Sequence, residues 1–353
     1  LLNEVLKRLV SRYGASPTPQ GRKIAAKALG FLSPGSDTES LLLALVEDPE
    51  VDVGRAAALS AGRHPSERVF NALIKALARR PLRAQIRRSI ARFGPEAVPK
   101  LQGYLRDPGL HPAARRAIPR AIAEIEDPQS VEALFRCLPS EDPRLHYQGV
   151  KSLARLRAHG RTLRFARSEA DRLLSYERDS LLELARLERS LSRPRVVAES
   201  HRLLVQVLDE RIEYTRERIF RLLGLTYRQD EIASLWNRIA SGPPSVKAAA
   251  LEYLATFLSR PHRTTLFPVI EQTTRLEAGR GADLATVPFE EALRRLSASG
   301  DYWIAACAVT VIGELRLTAL LPQIEGLRAH PGAIVREAAL RASMLAQNGT
   351  RVT

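Results

Sequence analysis

A chain of 353 residues that is 45% hydrophobic but only 5% aromatic can bury a large core, built from Leu, Ala, Ile and Val rather than from rings. Its two cysteines, Cys137 and Cys307, both lie inside apolar stripes, which argues against a disulfide framework and reads as small buried hydrophobes in a reducing compartment. The 54 Lys and Arg against 39 Asp and Glu leave a net charge of +15, and the longest uninterrupted apolar run, 304–312, is about half of the ~20 residues that a membrane span needs.

Taken in order, 1–12 (LLNEVLKRLVSR) has the pattern of an amphipathic helix, followed by a Gly/Pro/Ser/Thr break at 14–19. Helices are predicted at about 20–32 and 39–47, and the loop at 33–38 ends in capping residues. An Arg/Ala-rich segment at 53–62 (VGRAAALSAG) is followed by a Leu/Val-rich one at 66–78 (SERVFNALIKALA). Residues 81–108 show the same grammar most plainly. Ile86, Ile90 and Phe93 fall at i, i+4 and i+7; Gly94 is the residue type that ends a helix in a left-handed conformation; Pro95 suits the next first turn. Val98, Leu101 and Leu105 then repeat the stripe until Asp107-Pro108 stops it. The pair returns at 113–125 (AARRAIPRAIAEI) and 128–138 (PQSVEALFRCL). Pro49, Pro81, Pro108 and Pro143 open successive units, at gaps of 32, 27 and 35 residues. Helices this short are marginal alone in water, so each must bury its stripe on a neighbour. Self-similarity near 30 residues predicts an all-α chain, an α–α superhelix or α-solenoid of stacked helical pairs.

The middle differs. From Arg161 to Ser192 the helical period runs without Gly or Pro, predicting one long helix or a kinked pair, and Pro194 opens another to about 226. Helices at 229–240, 244–259, 264–278 and 288–298 follow, with 279–288 the best candidate for a mobile loop. The short grammar returns over 300–346, where WIAACAVTVIGEL (303–315) precedes 318–340, and NGTRVT forms a frayed tail. Three sections result: 1–160 and 299–353 of short repeats, and 161–298 of long helices in the same solenoid. A start at Leu1 rather than Met is expected of a piece of a larger protein.

The phrases DPEVDVGRAAAL, GPEAVPKLQGYLRDP and HPGAIVREAAL resemble HEAT-like repeats of the short type named after phycobilisome lyases, over about 20–160 and 300–345. That resemblance implies HEAT-like helical pairs and says little of function. HRLLVQVLDERIEYTRERIFRLLGLTY (201–227) with IASLWNRIASGPPSVKAAALEYLATFL (232–258) resembles the soluble HEAT-containing part of bacterial membrane proteins similar to the nucleotide (ATP/ADP) exchange transporters. It implies a cytoplasmic module tethered to the inner face of a membrane, whose transport helices lie outside this chain.

Charge is uneven. Residues 1–200 carry 35 basic and 23 acidic groups, net +12, against 19 and 16, net +3, for the remainder. Arg68 to Pro95 holds eight basic residues and no acid, and Pro143 to Ser168 holds seven. Such fields attract polyanions: nucleic acid, anionic headgroups or an acidic protein patch. Arg79, Arg80, Arg83, Arg88 and Arg92 are the candidate anion- or partner-binding residues, with a solvated face as the alternative. A solvated Arg83 predicts that Arg83→Ala leaves the melting temperature nearly unchanged. Arg55, Arg87, Arg115 and Arg336 stand where HEAT-like repeats place a structural arginine that pairs with the Asp of an inter-repeat turn, with Asp48 and Asp107 suitably placed before Arg55 and Arg115.

Signs of catalysis are weak. His64, His111, His146, His159, His201, His262 and His330 show no HxxxH or HExxH spacing, the cysteines form no CxxC, and no phosphate-cradling glycine loop follows a strand. Glu290 and Glu291 are adjacent rather than facing, and suit a helix N-terminus after Pro288. Tyr104, Tyr147, Tyr253, Trp236 and Trp303 sit among apolar neighbours and are expected in the core. No enzyme, metal or cofactor is expected. The favoured reading is an interaction or regulatory scaffold that docks a protein on a concave face lined by second helices. The alternatives are a nucleic-acid binder similar to HEAT-like DNA glycosylases, using the basic N-terminal half, and a lyase-type chaperone suggested by the repeat's namesake alone.

Overall fold

The computed structural model describes residues 2–160, 162–192, 198–277 and 284–349. Among them every regular element is helical, none is a strand, and no helix is long and apolar enough to cross a membrane. The fold is an all-α repeat arrangement of stacked helices. The chain divides into two compact units, Leu1–Ser140 with Arg144–Phe165, and Glu141–Pro143 with Ala166–Thr353.

The first unit contains α1 (Leu2–Tyr13), α2 (Pro19–Leu29), α3 (Ser36–Val46), α4 (Val51–Ala61), α5 (Glu67–Ala76), α6 (Arg83–Ala91), α7 (Ala97–Arg106), α8 (Pro112–Arg115), α9 (Ile118–Ile122), α10 (Pro128–Arg136) and α11 (Pro143–His159). First helices stack on first helices, α2 on α4, α4 on α6 and α6 on α9; second helices do likewise, α3 on α5 and α7 on α10. Caps place the starts: the Thr18 hydroxyl accepts from Gly21 N at 3.3 Å, Ser66 from Val69 N at 3.2 Å, and the Asp127 carboxylate from Gln129 N at 2.8 Å. Pro19, Pro112 and Pro128 stand in first turns, where a missing N–H costs nothing. Residues 113–125, expected as one helix, are two. Pro119 has no N–H for the carbonyl of Arg115, and its ring would crowd that turn, so the chain restarts at Ile118.

Packing follows the stripes. Ile86, Ile90, Leu101 and Val98 are buried, each worth roughly 1.5–3 kcal/mol of transfer free energy, and Phe93 meets Phe70 edge-on at 5.2 Å. Gly94 turns α6 into α7 at φ 72°, the left-handed region its sequence position predicts. Gly62 serves a close approach: a Cβ there would lie 2.8 Å from Ser89 Cα. Its absence lets α4 and α6 meet, and Ser89 Oγ donates to the Ala58 carbonyl at 2.5 Å.

The second unit contains α12 (Arg167–Ser192), α13 (Glu199–Thr226), α14 (Gln229–Ser241), α15 (Pro244–Phe257), α16 (Arg260–Thr265), α17 (Phe267–Glu277), α18 (Phe289–Ser297), α19 (Tyr302–Glu314), α20 (Leu321–Leu327) and α21 (Ala333–Gly349). The 161–192 segment therefore holds one unbroken helix from Arg167. The helix expected over 264–278 is broken at Leu266, because Pro268 cannot donate to the Thr264 carbonyl. Of the loop expected at 279–288, residues up to 283 lie outside the described residues; beyond them Leu284 is buried and Val287 N donates to Ser190 Oγ at 3.0 Å. Most of the NGTRVT tail also lies outside them.

The long helices α12 and α13 are pinned through their interior. Arg218 donates to both oxygens of the fully buried Glu177 at 2.8 Å, and to Thr215 Oγ1 at 2.9 Å. Near their far ends His262 Nε2 meets Asp171 at 3.0 Å, while its Nδ1 meets the Tyr227 hydroxyl at 2.8 Å, which also accepts from Ser259 N at 3.0 Å. Both ring nitrogens are thereby engaged, and the network ties the start of α12 to the end of α13 and the start of α16. A core of Leu191, Leu204, Leu208, Leu293, Ile304 and Ile312 packs α12 and α13 with α18 and α19. Tyr253 and Trp303, expected in the core, are half exposed, since each stands one position off the stripe that Leu254 and Ile304 fill. Tyr104 is partly buried, its hydroxyl donating to Asn71 Oδ1 at 2.7 Å.

Candidate functional site

Three successive repeats of the N-terminal unit each carry a basic pair at i, i+4: Arg83/Arg87 on α6, Arg116 closing α8 with Arg120 on α9, and Lys151/Arg155 on α11. Corresponding members are 33 and 35 residues apart, the spacing of the repeat. In each case the apolar stripe beside them is fully committed: Ile86 and Ile90, Ile118 and Ile122, Leu153 and Leu156 are buried. The arginine one position off the stripe lays its stem along the packed edge and brings its guanidinium to the rim.

At that rim Arg87 and Arg155 converge on one carboxylate, Glu124, while Arg120 stands beside Arg87 without pairing to it. Arg87 Nε lies 3.8 Å from Glu124 Oε1 and Arg155 Nη2 lies 3.5 Å from the same oxygen. The side chains of Arg87, Glu124 and Arg155 are 13%, 23% and 36% exposed, a gradient from interior to solvent. Nε of Arg87 and Nε of Arg120 are buried and have no hydrogen-bond partner. Burial pushes the Arg87 guanidinium below the usual arginine range; Arg120 adds to this, Glu124 opposes it, and Arg155 and Arg83 act with Arg120. Two cations face one anion and a third, Arg120, stands beside Arg87, so the local charge sums to +2 in a partly desolvated place.

The residues proposed from sequence divide into two groups. Arg79 donates to the Val46 and Asp48 carbonyls at 2.6 and 2.7 Å, closing the C-terminus of α3. Arg83 donates to Leu77 O at 2.8 Å, Ala113 O at 3.2 Å and Ala78 O at 3.5 Å, and burial, then Arg80, lowers its pKa. Both guanidinium groups are thus occupied by backbone. Arg80, Arg88 and Arg92 are exposed to solvent.

The structural ladder runs in a different direction from the one expected. Asp48 is held by Arg22 of the preceding repeat, through Nε at 2.6 Å and Nη2 at 3.1 Å, and not by Arg55. Arg55 instead reaches forward to the Pro81 carbonyl at 3.3 Å and to Asp52, also at 3.3 Å. Asp107 accepts from Gly109 N in its own turn rather than pairing with Arg115. Arg22 and Arg55 each bond to the turn of the next repeat, and Arg83 reaches the first turn of α8, because the long side chain on a first helix spans one stacking distance toward the segment that follows. Arg336 donates to the His330 and Pro331 carbonyls at 2.8 and 2.9 Å. Arg87 alone of the expected ladder joins the cluster; Arg120, Arg155 and Glu124 were not singled out by sequence. The basic pairs at i, i+4, repeated at 33 and 35 residues, are the signal that could have found them.

The groove between α7 and α10, of about 200 Å³, is lined by Gln102, Arg106 and Cys137, and burial pushes the Cys137 thiol up to about 12, far from a reactive thiolate. Among the described residues no group of three or more His, Cys, Asp or Glu could hold a metal ion.

Comparison with known proteins agrees with the repeats. The family model for HEAT repeats matches residues 6–91. No curated protein matches the chain. Among solved structures it is similar to an engineered protein at 15% identity and TM-score 0.28, over 61% of this chain and 97% of that one. It is also similar to a Kap121p mutant at 11% identity and TM-score 0.33, over 97% of this chain and 41% of that one.

Proposed function

We propose that the chain is a non-enzymatic helical scaffold whose N-terminal HEAT repeats dock an acidic protein partner along the edge formed by their first helices. One observation carries this reading: three successive repeats bring Arg87, Arg120 and Arg155 together with a single carboxylate, which answers only Arg87 and Arg155, and the same stretch of chain exposes Arg80, Arg88 and Arg92. Stacked repeats make extended surfaces of this kind, and a basic field steers an acidic partner onto them. The docking surface moves accordingly from the second helices, where the sequence suggested a concave face, to the first. Attachment to a membrane protein on the cytosolic side belongs to the same proposal, and rests on the likeness of 201–258 to the soluble part of nucleotide-exchange transporter-like proteins.

The test is cross-linking of the tagged chain in its producing cell, followed by stoichiometry and charge reversal. A partner held at fixed ratio should be lost at least tenfold when Arg80→Glu, Arg88→Glu and Arg92→Glu are combined, and should survive nuclease. Random duplex DNA bound with a steep loss against log salt, in place of any protein, would favour the nucleic-acid alternative and end this reading.

A further inference from the structure

We infer that the Arg87–Arg120–Arg155 cluster is a site for one phosphomonoester dianion, presented as a phosphorylated side chain on the partner that the scaffold docks. This rests on the scaffold reading above and adds the chemistry of the recognised group. The charge count selects the ligand. Three guanidinium groups and Glu124 sum to +2; a glutamate or aspartate of a partner would leave half of that uncancelled, whereas a phosphoserine or phosphothreonine carries about −1.5 to −2 at neutral pH.

Donor geometry points the same way. The buried Nε–H groups of Arg87 and Arg120 lack an acceptor, and a desolvated donor left unpaired is costly. Planar guanidinium forks match phosphate oxygens two at a time, so three of them can serve one tetrahedral group with several oxygens. Glu124 lies 3.8 and 3.5 Å from its arginines, too loosely to use up their donors, yet it holds two forks toward one point. Access is present, because Arg155 is 36% exposed at the mouth while Arg87 forms the floor. Convergence also distinguishes the site from a nucleic-acid surface. A duplex backbone offers singly charged diesters spread along a line and is met by a strip of separate contacts, not by two cations meeting at one carboxylate with a third beside them.

Arg120→Gln in the full chain is the decisive variant, because Arg120 Nε has no partner to lose; Arg136→Gln, an exposed arginine paired with Glu132 at 3.1 Å, is the control. At matched ionic strength, inorganic phosphate at ten times its Kd should raise the melting temperature by about 3 °C in the native chain and in Arg136→Gln, and not in Arg120→Gln. Without phosphate, Arg120→Gln should melt at or above the native chain, since it removes like-charge repulsion. A degenerate peptide library with a fixed phosphoserine should bind at least tenfold more tightly than its serine counterpart, and Arg120→Gln should abolish that preference. An Arg120→Gln chain that melts lower than the native one, with no phosphate-linked shift in either, would make the cluster a structural ladder and overturn the proposal. Binding to phosphatidic acid vesicles with no preference between the two libraries would move the phosphoryl group to a lipid and overturn it equally. The two readings fail separately. Loss of the phosphoserine preference, with partner binding still sensitive to Arg80, Arg88 and Arg92, removes only the phosphoryl site. A preserved preference, with partner binding indifferent to those reversals, removes only the docking edge.

Discussion

The two units differ in how their densest groups of charge are balanced. In the second, the fully buried Glu177 lies on Arg218 and Asp301 on Arg211 at 2.6 Å, each acid with its own arginine, although Nε of Arg186, Arg189 and Arg216 is also buried there without an acceptor. In the first, Arg87 and Arg155 share the carboxylate of Glu124, Arg120 beside them has none, and Nε of Arg87 and of Arg120 is buried without an acceptor. A matched pair inside a fold is a structural device that fixes how helices lie together. A cluster with more cations than carboxylates, held in place by repeats in register, costs the fold something, and that excess of positive charge at one place is the reason to assign it a ligand.

The contrast can be broken most forcefully at Glu177. Glu177→Ala leaves Arg218 in the interior without its partner and should lower stability by about 3–5 kcal/mol in urea unfolding; a small loss would mean that the pair is dispensable and that the two units do not differ as described. Gly94→Val, at φ 72° in the first unit, should cost about 2 kcal/mol. The source is backbone alone, because nothing lies within 4 Å of the added Cβ, so Gly94→Asn should recover much of the melting temperature. Arg83→Ala removes bonds to three carbonyls and should cost about 1.5 kcal/mol, in contrast to the near-neutral result that a solvated arginine would give. An unchanged melting temperature there would return Arg83 to the solvent-facing set and enlarge the binding edge.

The smallest effect is a pH dependence within the ladder. Arg22 holds the Asp48 carboxyl below the usual carboxylate range, with help from Glu50 N–H. A depressed folded-state pKa contributes stability that is present above the unfolded value of about 4 and is lost as pH falls through the lower folded value. Arg22→Gln should therefore lower the melting temperature at pH 6 and flatten its decline below pH 4. A native-like acid limb in that variant would show that Asp48 does not need Arg22.

Much of the fold was legible because it depends on local chemistry. Stripes at i, i+4 and i+7, Pro in first turns and Gly94 at the corner announce short helices, and short helices of this kind have to stack. The long pair α12 and α13 was visible as helical period without a breaker. Errors fell where one residue changes hydrogen bonding at a distance of four, at Pro119 and Pro268, or where register decides exposure, at Tyr253 and Trp303. The site was only partly readable. Arg80, Arg88 and Arg92 were identified by a run without acids, but so were Arg79 and Arg83, whose guanidinium groups the structure gives to carbonyls 5 to 33 residues away.

What the sequence determined by itself is the all-helical class, the repeat near 30 residues and the basic bias of the N-terminal half, because periodicity, breakers and composition are properties of neighbours along the chain. What only the tertiary structure decided is which arginine meets which oxygen. A side chain on a first helix spans one stacking distance to the turn of the next repeat, so Arg22, rather than Arg55, takes Asp48, and Arg87, Arg120 and Arg155, 33 and 35 residues apart, become neighbours.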